Sequence, residues 1–148
     1  ARDQIYFSVR VPSMNGTSSP TISLNGATTT NNFNGGILTR ATENLISATT
    51  TMQLDEPALS NTVKCGDLGC FAKGHITGTS TVQKIILFDY VSNNKGIDGV
   101  QGPRHATGYF LYDVTNSAIH EIKFTCGQDG TKCAAGTEIV VRGIINDN

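Results

Sequence analysis

The stretch Ile5-Tyr6-Phe7-Ser8-Val9-Arg10-Val11 puts Ile5, Phe7, Val9 and Val11 on one face of an extended chain and Tyr6, Ser8 and Arg10 on the other. An apolar period of two is the mark of a half-buried strand. The same period recurs along the chain. Ile46, Ala48, Thr50, Met52 and Leu54 alternate between residues 44 and 54, where Thr49-Thr50-Thr51 adds β-branched side chains. A short helix opening at Thr42-Glu43-Asn44-Leu45 is the competing reading of that segment. Further strands are expected at 21–24, 37–39, 82–91, 109–114, 119–126 and 139–145. In the 119–126 strand His120, Ile122 and Phe124 would face inward, with Glu121 and Lys123 outward. Three Asn-Gly pairs, Asn15-Gly16, Asn25-Gly26 and Asn34-Gly35, supply residues that tolerate the positive φ angles of tight hairpin turns. Eight or nine short strands with turn signals between them predict a single all-β domain over residues 1–148, an antiparallel β-sandwich or jelly roll. A parallel α/β fold would need helical crossovers, and no segment reads as one.

Composition agrees. Of 148 residues, 19 are Thr, 16 Gly, 12 Asn and 10 Ser, the usage of strands and turns. Eleven basic residues against twelve acidic ones leave a formal charge of −1. A nucleic-acid partner would call for a basic face, so none is expected. The longest aliphatic or aromatic run is Ile85-Ile86-Leu87-Phe88, far short of the roughly 18 apolar residues of a membrane-spanning helix, so no membrane span is expected either. The chain opens on Ala1 without a basic segment followed by an apolar one, as a mature sequence does after loss of a signal peptide; removal of an initiator Met is the rival account. Glycine-rich phosphate loops, the zinc-protease His-Glu-x-x-His and the serine-hydrolase elbow are all absent from the sequence, and no cofactor is expected.

The four cysteines fall into two pairs, Cys65/Cys70 and Cys126/Cys133, each bracketing a turn that contains Gly and Asp. Such turns suit local disulfides. Zinc ligation is the rival, disfavoured because four and six residues separate the paired cysteines where zinc knuckles favour about two to four; free buried thiols are the plainer alternative. No metal is expected, and calcium has no matching ligand spacing. Two disulfides would place the protein in an oxidising compartment, extracellular or at the cell surface. Asn15-Gly16-Thr17 is a formal glycosylation sequon compatible with that location.

Acid–base chemistry would have to come from His75, His105 and His120, with Asp89, Asp98, Asp113 and Glu121 as partners. Each histidine has a simpler reading as a core, surface or loop residue, so the expectation is that no residue is catalytic. The most informative oddity is a run of 29 residues, 11–39, without one Asp, Glu, Lys or Arg. Strand edges are usually guarded from sticking by charge or proline. With Ile22, Leu24, Phe33, Ile37 and Leu38 as apolar anchors, this segment is expected to be a contact surface. The function expected is therefore a structural or adhesive subunit of a filament, coat or surface assembly that self-associates through this segment. A carbohydrate-binding module is the alternative. Its ring contacts would come from Tyr6, Tyr90, Tyr109 or Tyr112, and its polar ones from loop residues such as Asn93, Asn94 and Asp98. A small secreted enzyme comes last.

Overall fold

The computed structural model describes residues 4–15, 20–26, 33–39, 42–49, 51–54, 65, 69–78, 83–92, 104–114, 117–126 and 132–144. Among these the chain is all-β, with no helix. Nine strands have four residues or more: β1 (Gln4–Val11), β3 (Thr21–Leu24), β4 (Phe33–Thr39), β5 (Thr42–Thr49), β7 (Cys70–Thr77), β8 (Lys84–Ser92), β9 (Arg104–Tyr112), β10 (Ile122–Thr125) and β12 (Glu138–Ile144). Three are two-residue bridges: β2 (Met14–Asn15), β6 (Met52–Gln53) and β11 (Lys132–Cys133). Seven strands form one antiparallel sheet in the order β12-β1-β7-β8-β9-β4-β5; β10-β3-β6 make a second sheet and β11-β2 a ribbon.

The period of two sets which face is buried. In β1, Ile5, Phe7, Val9 and Val11 are buried, as the alternation predicts, and in β8 Ile86, Phe88 and Tyr90 repeat the pattern. The second sheet covers this face: Ile22 and Leu24 of β3 and Met52 of β6 share one buried cluster with Phe7, Ile86, Phe88 and Phe110, a sandwich arrangement. Aromatic rings need room on this face, and glycines opposite them supply it. Phe88 faces Gly108 across the β8–β9 pair, and a Cβ on Gly108 would stand 2.0 Å from the ring's Cζ.

Both cysteine pairs are joined as the spacing predicts, Cys65 to Cys70 and Cys126 to Cys133, with Cα atoms 4.9 and 5.6 Å apart. Cys65, Cys70, Cys126 and Cys133 gather around Val9, Val11 and Met14 in a second, smaller core at one end of the sandwich. Disulfides of this kind fit an oxidising compartment.

Several local expectations are corrected. Of the Asn-Gly pairs, Asn25-Gly26 does turn, with φ of 53° and 62°, yet β3 pairs with β10 and β6, so it closes no hairpin with its neighbour in sequence. Asn34-Gly35 lies inside β4, where a Cβ on Gly35 would meet the Tyr109 carbonyl oxygen at 2.0 Å. Gly16 is outside the described residues. The expected strand over 44–54 is borne out as β5, which completes the edge beside β4, and not as the competing helix, though its last residues form a separate bridge, β6. β7 has no counterpart among the expected strands: Gly74 interrupts its apolar alternation, Ala72 and Ile76 being the buried residues on either side. His120 is exposed ahead of β10, not inward.

Candidate functional site: the outer face of the large sheet

A sheet covered on one side is expected to turn polar side chains to water on the other. Here the register sets four rows of outward side chains across the strands. One row runs Arg142, Tyr6, His75, Leu87, Tyr109 and Gly36 to Leu45. The next runs Val140, Ser8, Lys73, Asp89, Thr107 and Leu38 to Glu43. At a strand spacing of about 4.8 Å, seven strands span roughly 29 Å. Among the described residues twelve large hydrophobic side chains are exposed, and ten of them stand on this face, from Val91 at 38 % to Leu45 at 78 % exposure.

Polar groups sit among them. Asp89 accepts the Thr107 hydroxyl at 3.0 Å and lies 3.3 Å from Nε2 of His105, all three exposed to solvent. Tyr6 and His75 pack ring to ring with centroids 5.7 Å apart. Tyr109 lies across Gly36, where a Cβ would meet its ring, and its hydroxyl donates to Glu43. That hydrogen bond raises the phenol above its ordinary pKa, helped by partial desolvation and by the carboxylate's charge. Between the two rows, a shallow depression of about 360 Å³ lies over Gly74, lined by Tyr6, Lys73, His75, Leu87, Asp89 and Thr107.

Sequence-expected sites are redistributed. Ile22, Leu24, Phe33 and Ile37 are 0–2 % exposed and fill the chain's own core, so the contact surface read from them is corrected; of the five, Leu38 alone is on the surface, at 46 %. The four buried side chains of the uncharged segment are buried because they stand on β3 and β4 against the core. Tyr109 and Tyr112 fall on opposite faces of β9, as a separation of three requires. Tyr109 is exposed, whereas Tyr112 is 3 % exposed and donates to the Leu24 carbonyl at 3.4 Å; burial raises its pKa and removes it as a ligand contact. Tyr90 is likewise buried. Asn93, Asn94 and Asp98 lie outside the described residues, as do Gly16 and Thr17 of the sequon; Asn15 ends β2 opposite Lys132.

The three histidines are not brought together as one centre. His75 and His105 stand on β7 and β9 with β8 between them, and His120 lies ahead of β10, its backbone N–H donating to Asn25. Asp113 accepts from Gln83 at 3.0 Å. Among the described residues no group of three or more His, Cys, Asp or Glu is placed to hold a metal ion, and no helix is long and apolar enough to cross a membrane. Missed at the sequence level was the β7 contribution of Phe71 and Lys73, whose only signal was their alternation with Ala72, Gly74 and Ile76; the sequence singles out His75 only for acid–base chemistry.

Comparison of the chain with protein-family models, curated proteins and solved structures gives no match.

Proposed function

We propose that the protein is a non-enzymatic structural or adhesive subunit of an extracellular assembly, and that copies associate through the outer face of the large sheet and its margin. The observation that supports this is the ten large hydrophobic side chains exposed on that one face. Contiguous apolar patches on a water-facing sheet mark surfaces meant to be covered. The two disulfides suit an oxidising location outside the cell. Light scattering and electron microscopy on unreduced protein at several concentrations test the reading. Regular particles, filaments or discrete oligomers are expected; a monomer at every concentration overturns it.

A second reading rests on the depression beside Tyr6. An exposed tyrosine ring next to Lys73, Asp89 and Thr107 has the mixture of stacking surface and hydrogen-bonding groups that a sugar ring requires. Glycan-array binding that is lost in Tyr6→Ala would favour it over assembly.

A further inference from the structure

Among the described residues strand β12 ends the large sheet with β1 as its single neighbour, so one of its backbone edges has no described partner for its N–H and C=O groups. All seven of its residues are exposed. Ile139 and Val141 stand at 51 % and 48 % exposure on the face that β1 uses for the core, and Val140 and Ile144 at 42 % each on the outer face. The sequence Glu138-Ile139-Val140-Val141-Arg142-Gly143-Ile144 has high β propensity and no proline. Edge strands are normally shortened, bent or charged against pairing. The two charges of β12 are placed differently.

Laid antiparallel on itself about Val140, the strand sets Glu138 of one copy opposite Arg142 of the other, twice by symmetry. Val140 then meets Val140, and Ile139 meets Val141. Glu138, Val140 and Arg142 share the outer face and Ile139 and Val141 the inner one, so each facing pair within 138–142 is matched in chemistry and in face, with Gly143 and Ile144 beyond the matched stretch. Centring on Arg142 would set that arginine against its own copy. Centring on Val141 would leave Glu138 opposite Ile144 and Val140 opposite Arg142.

We infer that β12 is a self-complementary dimer edge: two copies pair β12 to β12 about a two-fold axis through Val140. The axis is perpendicular to the sheet, as antiparallel two-fold pairing requires, and the pair forms one continuous sheet of fourteen strands. The two apolar outer faces then lie side by side on one surface, and the free hydrogen-bonding edge is closed. The inference rests on the assembly reading and gives it a first contact.

Charge reversal tests the register. Glu138→Arg makes an all-arginine edge and Arg142→Glu an all-glutamate one, and both positions are exposed. In β1 Arg10 faces Glu138 and Tyr6 faces Arg142, so a circular dichroism spectrum for each variant checks that its sheet is intact. Each variant alone should dimerise roughly tenfold or more weakly than the wild type. An equimolar mixture should dimerise as well as the wild type, because every facing pair is again opposite in charge. Val140→Cys provides the second measurement. Facing Cα atoms in an antiparallel pair are about 4.5 to 5.5 Å apart, within disulfide range, so mild oxidation should yield a covalent dimer. Leu87→Cys, central on the outer face, should not. Wild-type oligomers that survive both charge reversals, or that cross-link through Leu87→Cys and not Val140→Cys, overturn the β12 edge and leave the assembly reading standing. A wild type that is monomeric at every concentration removes both.

Discussion

Lys84 opens β8 on its inward face and is fully buried. Its Nζ donates to the carbonyls of Val114 and Ser117, tying the chain after β9 to the core. Burial lowers its pKa from the ordinary lysine value. A neutral amine still has the two N–H groups that both carbonyls need. Lys84→Met keeps the apolar stem and leaves both acceptors unpaired, so a loss of about 1–3 kcal/mol is expected by urea unfolding. The pH dependence has a definite sign. Between the lowered native pKa and the unfolded value of 10.5 the unfolded chain binds more protons, so Lys84 adds stability as pH rises. Its advantage over Lys84→Met should therefore widen as pH rises toward 10.5; a constant or shrinking gap would show that the amine stays charged in the core. Asn25 does related work nearby: its side chain donates to Ala118 at 2.8 Å and accepts from the His120 N–H at 2.9 Å, so a residue read as a hairpin turn fixes a segment almost a hundred positions away.

Individual strands were mostly legible, because the pleat is local. The alternation in 5–11 and 139–145 needs no tertiary information, and β1 and β12 lie where it places them, within a residue or two at their ends. β7 was not legible because glycine at 74 empties the inward position that the Phe7 ring and the Phe88 Cβ occupy from the neighbouring strands. The value of that glycine appears only once those strands are beside it. The elements also differ in how firmly they are held. Among the described residues β8 has neighbours on both edges and a buried face, whereas β12 has one neighbour and is exposed on both faces. Amide exchange in protein diluted below assembly should thus be slowest in β8 and much faster in β12. Equal protection in the two would show that β12 is covered within a single copy.

For the whole molecule, the disulfides secure one end of the sandwich and leave the seven-stranded sheet to the apolar core. Each closes a loop of only five to seven residues in sequence separation, which in the chain-entropy account is worth about 2 kcal/mol per bridge. Reduction should lower the denaturant midpoint without abolishing the strand signal in far-ultraviolet circular dichroism at 25 °C. Complete unfolding on reduction would mean that the Cys65, Cys126 and Met14 cluster, not the larger core, holds the fold together.

The sequence by itself determined an all-β chain and the opposed faces of Tyr109 and Tyr112, because the pleat period is settled within a few residues; it favoured the local cysteine pairings that the structure shows. Only the tertiary structure decided strand order and exposure. The register that sets Gln4 beside Ile144 joins opposite ends of the chain, and no local pattern encodes such a pairing. The same order turned Ile22, Leu24, Phe33 and Ile37 of the uncharged segment into core and left β12 open, since an apolar strand becomes interior or edge according to the neighbours it acquires.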